Sequence, residues 1–191
     1  PELAAQWHPT KNGELTAFDV SLGSSKKAWW ICNVAEDHVW ESRFSDRLKQ
    51  YLKSGLSCKA CNGKIIVTSN CLATTHPVLA SEWHPTKNAS LSTSKVGAGT
   101  YKKAWWKCNK GEDHVWEARI KDRANKGAGC SVCAGKKVVK SNCLATINPE
   151  ISKQWHPTLN LNLTPNKVSS GSNKKVWWKC DVAEDHEWQA A

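Results

Sequence analysis

The chain has 191 residues, 27 Lys and Arg against 17 Asp and Glu for a formal charge of +10, and a tally of nine Cys, 12 Trp and no Met. It holds no apolar run of the ~18 residues a membrane helix needs and no signal-peptide pattern, so neither a span nor a secretory leader is expected. An odd number of cysteines, with two CxxC pairs that each follow a Cys…His pair, argues against a secreted disulfide framework and for metal binding in a reducing compartment, most simply the cytoplasm.

The skewed composition points to a short unit copied several times. WHPTKN at Trp7 recurs at Trp83 and, as WHPTLN, at Trp155; KKxWW recurs at Lys26, Lys102 and Lys174; EDHxW recurs at Glu36, Glu112 and Glu184. The offsets are 76 and then 72 residues. The expected domains are 1–75, 76–147 and a shorter third copy, 148–191, that lacks a CxxC. The chain opens inside a repeat and without Met, which suggests a piece of something longer.

Each copy begins with a segment carrying Pro near its start and apolar residues at helical spacing, PELAAQW, HPVLASEW and NPEISKQW. A short helix with Pro in its first turn is predicted for each, ending at His-Pro. The polar stretch after it, TKNGELTAFDVSLGSSKK in the first copy, reads as loop. Two strands come next. Trp116, Ala118 and Ile120 alternate with Glu117, Arg119 and Lys121, a half-buried strand; in its partner, Trp106 shares a face with Cys108 and Trp105 lies on the other. The same parity sends Trp30 and Trp178 inward and Trp29 and Trp177 outward. The first copy has 19 residues between His38 and Cys58 where the second has 15 between His114 and Cys130, and this is read as a loop tolerant of insertion.

The cysteines and histidines fall into two ligand sets: Cys32, His38, Cys58 and Cys61, then Cys108, His114, Cys130 and Cys133. Thiolate and imidazole in two short-range pairs suit zinc, and four protein ligands make a closed, structural site. Two structural Zn2+ ions are therefore expected, which lower the charge to about +8 because each Cys3His site contributes −1. The third copy offers only a half-site, Cys180 and His186. A repeat of this size has a thin core, and zinc binding of about 10–16 kcal/mol decides whether it folds. Cys71 and Cys143, in SNCLAT, read as buried small residues. His8, His84 and His156 read as turn-capping or packing residues.

WHPTKNG, KKxWWKC, EDHxWEA, GCxxC and SNCLAT together resemble the tandem treble-clef zinc-finger repeats of a family once labelled a probable zinc-ribbon domain of unknown function. The likeness covers essentially the whole chain. It implies a small metal-stabilised α+β fold: a short helix, a β-hairpin with a zinc knuckle, and a CxxC turn, with the ligand role on the eight residues named. Ser57 stands where the second copy has Gly129, a departure expected to strain the turn before Cys58.

For function, the charge favours an anionic partner. Lys103, Trp105, Lys107, Arg119 and Arg123 would set cations around an outward indole, as would Lys27, Trp29, Arg43 and Arg47 in the first copy and Lys175, Trp177 and Lys179 in the third. Stacking plus phosphate contact is the means of non-specific nucleic-acid binders. The other reading is a structural or protein-interaction module docking through its Trp-rich face. Catalysis is not expected. The strand-proximal His is committed to zinc, and the adjacent pairs Glu36-Asp37, Glu112-Asp113 and Glu184-Asp185 diverge instead of sharing a proton.

Overall fold

The structure is a computed structural model that describes residues 2–55, 58–183 and 185–191. The expected strain at Ser57 lies outside the described residues, as does Glu184.

Each copy is built on one antiparallel hairpin: β1 (Lys27–Ile31) with β2 (Val39–Arg43), β3 (Lys103–Lys107) with β4 (Val115–Arg119), and β5 (Val176–Lys179) with β6 (Glu187–Ala190). The registers put Trp30 opposite Trp40, Trp106 opposite Trp116 and Trp178 opposite Trp188. Alternating side chains make the pairing one-sided. Trp30, Trp106 and Trp178 are buried, while Trp29, Trp105 and Trp177 lie half-buried on the other face. The expected parity holds.

Beyond the second strand the structure departs from the sequence reading. The strand stops at Arg119, and helix α4 (Ile120–Lys126) begins at once; its counterpart α1 (Phe44–Ser54) comes directly after β2. Ile120 is buried as its parity required, but as the first residue of a helix. The 15- and 19-residue connections are thus a strand followed by a helix. The four extra residues lengthen the helix from seven to 11 residues, about one turn at 3.6 residues each. Phe44, Arg47, Leu48 and Tyr51 had the i, i+3, i+4, i+7 spacing of a helix face, masked by an arginine in an inward position. Gly55 and Gly127 end these helices with φ of 69° and 61°, where residues with a Cβ are strained.

The CxxC pairs sit in tight turns, closed by Asn62 N to Cys58 O and Gly63 N to Ala60 O in one repeat and by Ala134 N to Cys130 O and Gly135 N to Val132 O in the other. A 3-10 turn, Thr68–Asn70, then leads into α2 (Leu72–Thr75) and α3 (Pro77–Ser81), and its counterpart, Lys140–Asn142, into α5 (Leu144–Ile147) and α6 (Pro149–Lys153). The expected Pro-initiated helices are α3 and α6; the first copy has a 3-10 turn, Ala4–Gln6. No helix among the described residues is long and apolar enough to cross a membrane.

Compactness divides the chain differently from the repeat period. One unit is Pro1–Ser81 with Ser90–Thr100, the other Glu82–Ala89 with Tyr101–Ala191. The polar stretch explains this. In the first unit the Leu72 and Ala73 amides donate to Val96 O (2.7 Å) and Thr93 O (3.1 Å); in the second, Leu144 N donates to Val168 O at 2.8 Å. The stretch read as loop is what seats each SNCL turn. The first unit's core gathers Leu3, Ala28, Trp30, Cys32, Trp40, Cys58 and Ala60, and the second holds a cluster of Leu144, Val168, Val176 and Trp178.

Candidate metal centres

The hairpin places the first ligand pair. Cys32 N bonds to His38 O (3.1 Å) and Cys108 N to His114 O (3.3 Å), so the knuckle turn brings Sγ and the imidazole to one point. The helix and its glycine end return the chain to deliver the CxxC pair. The eight predicted ligands form two groups, Cys32, His38, Cys58, Cys61 and Cys108, His114, Cys130, Cys133, whose ligand atoms all lie within 4.8 Å of one another.

The separations fit zinc. Tetrahedral coordination with Zn–S near 2.3 Å and Zn–N near 2.0–2.1 Å requires S···S of about 3.8 Å and N···S of about 3.5 Å. Cys32 and Cys61 sulfurs are 3.7 Å apart, as are those of Cys108 and Cys133. His38 Nδ1 lies 3.7 Å from Cys58 and 3.3 Å from Cys61; His114 Nδ1 lies 3.3, 3.8 and 3.3 Å from Cys108, Cys130 and Cys133. A disulfide would need S–S of about 2.05 Å, and all nine cysteines are free. Crowded thiols resist ionisation. Loss of solvent first, then hydrogen bonds and charge from Cys32 and Cys58, pushes Cys61 up to about 12; the same causes, with Cys108 and Cys130, push Cys133 up to about 11. A divalent cation reverses this, since a coordinated thiol is deprotonated outright. Zn2+ in a closed Cys3His set is what these atoms suit.

The surroundings orient the ligands. His114 Nε2 meets Ser141 Oγ at 3.1 Å, the outer hydrogen bond that selects Nδ1 for the metal. The aspartate of EDH grips the same serine: Ser69 N and Oγ donate to Asp37 at 2.8 and 2.6 Å, Ser141 N and Oγ to Asp113 at 2.9 and 2.6 Å. These bonds hold both carboxyls below the ordinary range. Asp37 and Asp113 therefore serve as clamps between knuckle and SNC turn. Asn70 and Asn142 complete that turn by donating to Ala60 O and Ile65 O, and to Val132 O and Lys137 O. Cys71 and Cys143 are buried, and each donates to a local carbonyl, Thr68 O or Lys140 O, at 3.3 Å.

Two of the arginines assigned to a nucleic-acid surface are not on it. Arg47 is 1% and Arg123 7% exposed. Arg47 lies over Trp30 and Trp40 (5.9 and 5.6 Å) and donates to Gln6 Oε1; Arg123 lies 4.9 Å over both Trp106 and Trp116 and donates to Glu82 Oε2 and Ala128 O. The helix missed in the sequence turns them inward. Burial lowers the Arg47 pKa while the attraction of Cys58 and Cys32 opposes it, so this guanidinium is placed as a counter-charge to an anionic zinc–thiolate centre.

The remaining surface candidates stay outside. Arg43, Arg119 and Lys175 are exposed, while Lys27 pairs with Glu41 (3.3 Å), Lys103 with Glu117 (3.4 Å), Lys107 with Glu112 and Lys179 with Glu187 (3.2 Å). Lys11 and Lys87, missed in the sequence, sit 4.8 Å over the Trp29 and Trp105 rings. The WHPTxN motif explains their placing. His8, His84 and His156 each accept two backbone amides at Nδ1, from Thr10 and Lys11, Thr86 and Lys87, and Thr158 and Leu159. Asn12, Asn88 and Asn160 bond both the N–H and the C=O of the outward Trp (2.7–3.0 Å). Repetition of Asn at one offset from WW was the available signal.

In the third copy Cys180 Sγ and His186 Nδ1 stand 3.3 Å apart, as do Cys108 Sγ and His114 Nδ1.

No curated protein matches the chain. A family profile described as "Probable Treble clef zinc finger domain" matches residues 3–64, 79–136 and 151–191. With two closed Cys3His sets on hairpin knuckles and CxxC turns, the chain belongs to this treble-clef zinc-finger family.

Proposed function

We propose that the chain is a non-catalytic zinc-finger array that binds nucleic acid through the outward faces of its hairpins, inside a reducing compartment. The observation that carries this reading is the repeated platform: an outward indole, Trp29 or Trp105, with a lysine 4.8 Å over its ring and an exposed Arg43 or Arg119 on the neighbouring strand. Trp177 offers the third platform, with Leu159 at the lysine's place and exposed Lys175 beside it. An indole stacks on any base, and cations track the phosphates, so such a platform is sequence-tolerant and salt-sensitive. Zinc serves as scaffold. With four protein ligands it offers no open position to a substrate.

Tryptophan fluorescence titrated with single-stranded oligonucleotides at two salt concentrations tests the reading. Quenching with a log–log salt slope of about −0.7 per phosphate contacted is expected, and Trp105→Ala with Lys87→Ala should weaken it together. Absence of both quenching and salt dependence refutes it. The alternative, a structural or protein-interaction module docking a partner through the Trp-rich face, predicts salt-insensitive binding.

A further inference from the structure

We propose that residues 16–23 of the first repeat, with the cavity beside them, form a docking face for the Ser-Asn-Cys-Leu turn of another treble-clef repeat. The proposal is independent of the nucleic-acid reading.

The other two repeats show how such a turn is seated. In the second unit Leu144 packs with Val168, Val176 and Trp178, its amide bonds to Val168 O, and Cys143 bridges to Ser169. In the first unit Leu72 N bonds to Val96 O, and both residues are buried. At the repeat offsets Val20 occupies the place of Val96 and Val168, while Ala28 and Trp30 occupy those of Val176 and Trp178. Val20 is only half-buried, and among the described residues no backbone amide bonds to its carbonyl.

Ala17 and Leu22, which flank it in the chain, line a cavity of about 240 Å³ together with Leu3, Trp7, Trp30 and Phe44. The matching cavity of the third repeat has Ile151, Trp155, Ser170 and Trp178 at corresponding positions, and there Leu144 and Asn148 join the lining. The loop chemistry agrees. Phe18 is 97% and Leu22 74% exposed, where the seated loops carry Ser94 and Asn166, or Ala98 and Ser170. Two large apolar side chains standing in water are a cost that a docked leucine turn removes.

The test extends the full chain by Lys-Ser-Asn-Cys-Leu-Ala-Thr-Ile-Asn directly before Pro1, the order that residues 140–148 hold before Pro149. A second version carries Asp in place of the added Leu, and a third combines the Leu extension with Leu22→Asp. Amide exchange and methyl NOEs are read by NMR, with a zinc count of two as the control for folding. The added Leu amide should exchange at least tenfold more slowly in the first version than the same amide in the third, with NOEs to Val20 and Leu22. The Asp version should show neither. Equal exchange in all three overturns the proposal. So does concentration-dependent self-association of the unextended chain that covers Phe18, which would make a second copy the occupant.

Discussion

Hairpins β3–β4 and β5–β6 share KKxWWKC and EDHxW, yet Trp116 is 6% exposed and Trp188 39%. Their Cys–His separations are the same, 3.3 Å, but His114 is buried and His186 exposed. The knuckle turn alone thus spaces the first ligand pair. Burial of the inward tryptophan and closure of the site come from the segments beyond the hairpin: helix α4 with Arg123, and the CxxC turn. The third repeat makes part of its contacts differently, through a hydrogen bond from buried His156 Nε2 to Glu187 Oε1 at 3.1 Å.

Removing a ligand should break the comparison most. Cys130→Ala is expected to lower the zinc count from two to one and to abolish the near-UV circular dichroism of the second repeat, because on the order of 10 kcal/mol of metal binding is lost. Cys180→Ala should leave the count at two. Elemental analysis decides both, and a chelator should reproduce the first result at both sites.

Arg123→Met comes next. It removes the cation between Trp106 and Trp116 and strands Glu82, which keeps one-third of its side chain in solvent. A loss of about 3 kcal/mol, the low end for breaking a buried pair, is expected in denaturant unfolding, with weaker zinc retention against a chelator. The Trp188 environment should not change.

Asn88→Ala and Asn160→Ala sharpen the comparison from the other side, because this clamp is present in both repeats. Each should cost about 2 kcal/mol, as half-buried hydrogen bonds to the backbone are lost. Unequal losses would show that the completed site supports the clamp.

The smallest effect is in pH. Ser141 holds the Asp113 carboxyl below its ordinary value, so the clamp adds stability above about pH 4, the unfolded value. That contribution fades as pH falls through the depressed folded pKa. Carboxyl NMR titration should show a lowered midpoint for Asp113 that Ser141→Ala returns toward normal.

Much of this was legible in the chain. The eight ligands, the three hairpins, the inward Trp30 and Trp106 and the buried Cys71 and Cys143 follow from spacing and alternation, which act over a few residues. Helix α4 was not read because its inward face holds Arg123, a residue that periodicity counts as solvent-facing; it is buried because two indoles and Glu82 receive it. The Asp113–Ser141 clamp spans 28 residues, and no local pattern announces such a partner.

Sequence by itself determined the metal, the ligands and the period, since a thiolate–imidazole set at short spacing has few other uses. Only the tertiary structure decided which cations reach solvent and how the repeats interlock. Both depend on contacts between segments distant in the chain: an arginine drawn under tryptophans, and a polar stretch whose carbonyls seat the next leucine turn.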